Sequence, residues 1–332
     1  MSDAVATATE AVGGDAKSPL LLSGSTQASK PAHVSKPADF FALLKPRVMT
    51  LVVFTAFIAM MVAPGHLHPL PAFAAILAIA VGAGASGAIN MWYERDIDAL
   101  MRRTAKRPIP AGRIAPPDAL VFGVTLAVGS VVVIGLATNM VAAAILAASI
   151  CFYVFVYTIW LKRRTPYNIV IGGAAGAFPP LIGWAAVTGN VALLPMLLFA
   201  IVFIWTPPHF WSLALWAHAD YERAGVPMLP VTAGARATRR QIVAYTLVLV
   251  PLSVLPWMLH LTGPIYGLTA AGLGLSFLAS VIGVARDRQD AAGVSLTGDR
   301  PAKAAFRVSI LYLFGLFAAL AADHFLMPWI VR

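Results

Sequence analysis

At 332 residues and a net charge of +10, the chain is 59% hydrophobic and only 11% charged, against about 25% charged in a soluble globular domain. That deficit excludes a water-facing surface over most of the length, and the confinement of basic residues to gaps between apolar runs argues against nucleic acid as a partner. A single cysteine, Cys151, excludes an intramolecular disulfide and a cysteine metal centre, and it reads as a small buried apolar residue.

Residues 1–38 are rich in Ala, Ser, Thr, Gly, Lys and Pro and lack apolar periodicity, so they read as a disordered cytoplasmic tail. Leu20, Leu21 and Leu22 are too short a run for a secretory signal, and Asp3, Glu10 and Asp15 speak against a mitochondrial presequence. Residues 39–332 read as one membrane-embedded, all-α domain. Nine runs meet or approach the roughly 20 apolar residues that cross a bilayer: 46–64, 70–92, 117–136, 139–160, 167–187, 191–216, 241–261, 264–285 and 305–329. Short turn-like connections alternate with long charged ones at 93–116, 161–166, 217–240 and 286–304. With nine spans, the tail and all the long connections share one side, and of 24 Lys and Arg only Arg332 falls elsewhere. The positive-inside rule then makes that side cytoplasmic and leaves the C-terminus outside, in a plasma (inner) membrane. Of 14 Asp and Glu, only Asp323 falls toward the outer side. The cytoplasmic loops therefore carry clustered mixed charge, which topology alone does not require.

The first cluster closes the second span. Asn90, Glu94 and Asp98 follow one another at i, i+4 and i+8, a spacing that stacks three side chains in one stripe on a helix. Carboxylates near a membrane need partners or a cation, and an oxygen-ligand stripe suits Mg²⁺, usually held by one or two carboxylates plus substrate phosphates. Asp96 points away unless the helix ends or distorts there. Arg102, Arg103, Lys106, Arg107 and Arg113 follow in the same loop. Acids to hold a cation and bases to neutralise phosphate oxygens are what a metal–diphosphate substrate requires. Lys162 and Arg163, at the end of the fourth span, are further candidate diphosphate contacts. In the fifth, Gly172, Gly173 and Gly176 permit close helix packing, and Pro179-Pro180 should kink the helix. The third cluster is Trp205-Thr-Pro-Pro-His209-Phe-Trp211 followed by Asp220-Tyr-Glu-Arg-Ala224. His209 and Asp220 lie three helical turns apart and share a face if the helix is unbroken. His209 could ligate a haem iron, donate to phosphate, or bond a neighbouring carbonyl.

The stripe Asn90-xxx-Glu94-xxx-Asp98, the Arg-Pro…Gly loop after it and Lys162-Arg163 resemble the UbiA-type membrane prenyltransferase superfamily. Leu161-Lys-Arg-Arg-Thr-Pro-Tyr-Asn168, Thr206-Pro-Pro-His209-Phe-Trp and Asp220-Tyr-x-x-Ala224-Gly-x-Pro-Met-Leu-Pro230 are similar to its haem-farnesylating branch. The resemblance spans about residues 40–325 and implies nine helices around a cavity open to the cytoplasm, Mg²⁺, farnesyl diphosphate and haem b as substrates, and haem O and diphosphate as products. It implies Asn90, Glu94 and Asp98 as metal ligands, and Lys162 and Arg163 as diphosphate contacts, with Arg102, Lys106 and Arg107 beside them. Asp220 opens the second acidic motif, and His209 is the candidate haem contact. A downstream haem-modifying enzyme is a candidate partner. Glu94 stands where many members carry Asp, and Ala224 stands where a second acid would follow Asp220. Two alternatives remain open from the residues: an aromatic quinone precursor or chlorophyll-type acceptor for the same chemistry, and a secondary transporter, whose ionisable residues would line a midplane path rather than crowd one interface.

Overall fold

The protein's structure, a computed structural model, describes residues 35–330 apart from Ala292; the expected tail lies outside the described residues up to position 34. Across the described residues the chain is helical almost throughout. Its elements are α1 (Pro37–Leu43), α2 (Pro46–Val62), α3 (Pro69–Tyr93), α4 (Arg95–Leu100), α5 (Pro116–Ala137), α6 (Met140–Cys151), a π-helical segment (Phe152–Leu161), α7 (Asn168–Gly172), α8 (Ala174–Thr188), α9 (Leu193–Trp216), α10 (His218–Arg223), α11 (Leu229–Thr232), α12 (Gly234–Met258), α13 (Pro264–Ala285) and α14 (Arg300–Ile330). Among the described residues the only strand-like pairing is the isolated bridge between Gln289 and Ser295.

Among the described residues, eight helical stretches are long and apolar enough to cross a membrane, and the remaining expected span is the shorter apolar stretch Met49–Val62. Prolines open α2, α3, α5 and α13 at their first turn, where a missing N–H costs nothing. Two observed spans start earlier than hydropathy places them, α12 at Gly234 and α14 at Arg300. The first turns of α12 carry Arg236 and Arg239, which dock on loop 286–299: Arg239 is buried, lies 3.6 Å from Asp287 and donates to the Gly293 carbonyl at 2.9 Å. The fifth span is interrupted at Gly173, between α7 and α8, and carries Pro179 and Pro180 inside α8.

One core joins α2, α9, α12, α13 and α14 around Trp205, Phe277, Tyr312 and Phe317; a second joins α2, α3, α5, α6 and α8. Lipid supplies no hydrophobic drive between helices, so close approach matters. At Gly183 a Cβ would stand 2.1 Å from the Ala56 carbonyl oxygen, so only glycine lets α8 lie against α2. The residue that caps the start of α13, Gly263, has no side chain to do so. Asp323 of α14 supplies the cap, accepting from the Gly263 and Tyr266 amides, where the helix dipole favours an anion. Cys151, expected inside, is exposed on α6; an apolar residue is as well placed against lipid as against a core.

Candidate active site

The stripe survives a break in its helix. Glu94 ends α3 and precedes α4, yet the Glu94 amide still donates to Asn90 O at 2.9 Å and the Asp98 amide to Glu94 O at 2.8 Å. The helical rise is kept, so Asn90, Glu94 and Asp98 remain stacked, and all three are buried. Asp96, on the other face, is exposed and pairs with Arg163, whose two terminal nitrogens reach it at 2.8 and 2.6 Å. That hydrogen bond holds the Asp96 carboxyl below its usual range and raises the Arg163 guanidinium.

Each member of the stripe meets a base from a different part of the chain. Lys162 pairs with Glu94 Oε2. Arg107 donates to Asp98 Oδ2 at 2.6 Å, and Lys45, just before α2, donates to Asn90 Oδ1 at 3.1 Å. Burial pushes the Lys45 ammonium down to about 7, with Arg107 adding to the shift and Glu94 opposing it; an anion beside it would favour the charged form. Each carboxylate keeps one oxygen, Glu94 Oε1 and Asp98 Oδ1, buried and without a hydrogen-bond partner among the described residues. An orphaned, buried, charged oxygen is costly, and a hard cation is what would satisfy two of them. No group of three His, Cys, Asp or Glu that could hold a metal occurs among the described residues. Two carboxylates and an amide therefore fit an ion that takes its other ligands from a substrate, as Mg²⁺ does.

The π-helical segment aims Lys162. Its bonds reach five residues back: the Lys162 amide donates to Tyr157 O at 3.0 Å, and Thr158 Oγ1 to Tyr153 O at 2.8 Å. Such segments recur at functional sites. The widened turn brings residues five apart onto one face. Lys162 Nζ lies 5.7 Å from the centre of the Tyr157 ring, and buried Thr158 accepts from Asn90 Nδ2 at 3.2 Å. The Tyr157 ring in turn needs Gly172, where a Cβ would fall 2.1 Å from it. The basic loop is fixed by Thr104, which donates to Asp98 O at 2.8 Å, and by Arg113, which donates to Asp39 of α1 at 2.6 Å.

The structure thus gathers Asn90, Glu94, Asp98, Arg107 and Lys162. Arg102 and Lys106 are exposed on the same loop. Asp220 is half-buried and paired with Arg223 at 3.3 Å. Helix α9 ends at Trp216 and α10 begins at His218, so His209 and Asp220 do not share an unbroken face. Buried Tyr221 nonetheless packs with Ile97 and Met101 of the stripe's segment. His209 is buried between the rings of Trp205 and Phe306, at 4.3 and 4.5 Å, and its Nδ1 meets Ser309 Oγ at 2.7 Å. The ring contacts and the hydrogen bond of His209 go to Trp205, Phe210, Phe306 and Ser309, none of them on the stripe. Sequence reasoning missed Lys45, Thr158 and Tyr157. Lys45 counted only toward topology; its one local signal is a lysine directly ahead of the proline that opens a span.

The model of the UbiA prenyltransferase family matches residues 51–311. The protoheme IX farnesyltransferase of Granulibacter bethesdensis is 65% identical over 88% of this chain and 92% of its own length. That of Acidiphilium cryptum is 66% identical over 86% and 90%. Among solved structures, a UbiA homolog from Archaeoglobus fulgidus bound to DMAPP and Mg²⁺ covers 85% of this chain and 99% of its own with a TM-score of 0.63. At 16% identity it shows a shared fold alone.

Proposed function

The chain belongs to the UbiA prenyltransferase family, and from that premise we propose that it transfers the farnesyl group of farnesyl diphosphate to a vinyl group of haem b, giving haem O and diphosphate. The observation that carries the reading is the pair of buried carboxylate oxygens on Glu94 and Asp98, each left open while its twin is tied to a base. The acceptor follows from what the relatives are named for.

Asn90, Glu94 and Asp98 are the residues that would hold Mg²⁺. When bound, the ion neutralises the diphosphate and polarises the oxygen that leaves the farnesyl carbon. Lys162 and Arg107 lie preplaced where negative charge develops on the leaving group, and preorganised charge of this kind lowers the barrier without reorganisation. Arg102 and Lys106 extend the clamp from the same loop. Arg163, held by Asp96, joins it by exchanging that partner for a phosphate oxygen, and Asp220 supplies the acid of the second motif. The allylic C–O bond breaks with its electron pair remaining on the diphosphate. The vinyl π pair then bonds to the farnesyl carbon. The cation left on the former vinyl carbon takes oxygen from water, which releases a proton. Helices around the site keep water from the allylic cation before the vinyl group reaches it. Ser309 occupies Nδ1 of His209, which leaves Nε2 as the haem contact. The same reading sets the protein in the inner membrane with the site on the cytoplasmic side, and delivers haem O to a downstream haem-modifying enzyme.

Purified protein incubated with farnesyl diphosphate and either haem b or a hydroxybenzoate, with products identified by mass, tests the assignment. Haem O from the first mixture is expected. A prenylated hydroxybenzoate with no haem O would reject the acceptor.

A further inference from the structure

The connection between α13 and α14 is tied down as a ribbon rather than left as a slack loop. Its two arms, 286–290 and 293–299, meet at the bridge between Gln289 and Ser295. The Asp290 amide donates to Val294 O at 3.0 Å and the Leu296 amide to Arg288 O at 2.8 Å. Ser295 Oγ accepts from the Thr297 and Asp299 amides at 3.2 and 3.0 Å, and Thr297 Oγ1 donates to Asp287 at 2.7 Å. Buried Arg239 of α12 anchors both arms, lying 3.6 Å from Asp287 and 3.9 Å from Asp299. Arg236 adds bonds to the Asp290 and Ala291 carbonyls, both at 3.1 Å.

Side chains alternate between the two faces of an extended ribbon. Gln289 and Ser295 bond within the connection, so Arg288, Val294 and Leu296 share the opposite face. Val294 is 51% exposed and Leu296 63%: two aliphatic side chains stand outward on a backbone that is fixed. Arg286, Arg288 and Arg300 are exposed around them. A bias of basic residues toward one side of a membrane accounts for the arginines. It does not account for the two aliphatic residues between them. Apolar side chains ringed by arginine are the composition of a segment lying in a membrane surface, with its apolar groups at the acyl boundary and its cations among phosphates. The neighbouring helix supplies continuity. Leu268, Leu275 and Ile282 of α13, seven apart, form one exposed apolar stripe, the face that lipid covers on a spanning helix. The ribbon leaves that helix directly at Arg286.

We propose that this ribbon is an interfacial anchor: Val294 and Leu296 lie in the headgroup boundary of the bilayer, and Arg286, Arg288 and Arg300 bind the phosphates of anionic phospholipids. Through Arg239 the anchor holds the starts of α12 and α14 at one depth in the membrane. It is independent of the prenyl donor and of the acceptor. A loop in open solvent, or one covered by a second protein, would differ from it in what reaches Val294 and Leu296.

The test puts a fluorophore on the ribbon of the full chain in vesicles of phosphatidylcholine and phosphatidylglycerol. In a Cys151→Ala background, Leu296→Cys and, separately, Val294→Cys each carry one environment-sensitive label. Both positions are exposed, so neither substitution opens the core, and thermal unfolding checks that each variant is folded. Quenching is compared between iodide in the water and a nitroxide carried on the lipid near its headgroup. Both labels are expected to be quenched by the lipid nitroxide and shielded from iodide. A nitroxide on phosphatidylglycerol is expected to quench more strongly than the same nitroxide on phosphatidylcholine. That preference should fall by up to about fivefold for each charge removed in Arg286→Gln and Arg288→Gln. Free access of iodide to both labels would overturn the anchor in favour of a solvent loop. Shielding from both quenchers would overturn it in favour of a protein contact, and equal quenching by the two lipids would overturn the anionic headgroup as its partner.

Discussion

Replacing Lys162 with methionine removes the cation paired with Glu94 and leaves that buried carboxylate with neither oxygen satisfied. Breaking a buried pair by deleting one partner costs about 3–5 kcal/mol. Lys162 keeps some contact with solvent while Glu94 has none, so the lower end, about 3 kcal/mol, is expected. In a chain this long each kcal/mol moves the melting temperature by roughly 2 °C, for a fall of about 6 °C. Adding Glu94→Gln removes the stranded charge, so the double variant recovers most of the lost stability and none of the transfer. On the substrate side, a charge-assisted hydrogen bond is worth about 1.5–3 kcal/mol. Transfer efficiency should therefore drop roughly 10- to 150-fold, mostly as a raised KM for farnesyl diphosphate. Thermal unfolding in detergent and steady-state haem O formation at saturating haem measure the two effects. A Lys162→Met protein that melts with the wild type and keeps its KM would refute both the burial of the pair and its place in the clamp.

Asp98→Asn should cut haem O formation by about 10²–10³-fold per folded molecule, the range for losing a preorganised charged group; an unaffected rate would exclude Asp98 as a ligand. Asp323→Asn weakens the cap of α13 and should cost about 1 kcal/mol in thermal stability, with kcat/KM unchanged because the cap lies at the far end of the spans; a catalytic defect at full stability would contradict this. Gly172→Ala forces the Tyr157 ring aside at about 1–3 kcal/mol and should raise KM for farnesyl diphosphate through Lys162. Gly176→Ala, where an added Cβ meets nothing within 4 Å, serves as its neutral control, and equal behaviour of the two variants would separate Gly172 from the site.

The span pattern and the stripe were legible because both rest on local periodicity. Asn90, Glu94 and Asp98 kept their stacking through the break at Glu94, since the backbone bonds across it kept helical spacing. Lys45 was not legible, because it reaches Asn90 only through a left-handed turn and a long-range contact. The neighbours Lys162 and Arg163 looked equivalent in sequence, but Lys162 faces Glu94 and Arg163 faces exposed Asp96. The π-helical turn before them sets that division, and nothing in residue spacing announces a turn with an extra residue. The shared face of His209 and Asp220 failed at Ala217, between α9 and α10, where φ and ψ leave helical values. Cys151 faced outward because a helix apolar on all sides has no polar face to show which way it turns. The early start of α12 was hidden by its arginines, which hydropathy assigns to a loop but which Asp287 and the Gly293 carbonyl receive.

Metal dependence of the transfer tests the centre of the account most directly. Purified protein with farnesyl diphosphate and haem b, stripped of divalent ions by a chelator, should release no pyrophosphate and form no haem O, and both should return together when Mg²⁺ is restored. Undiminished haem O formation under complete chelation would show that Glu94 and Asp98 hold no catalytic cation.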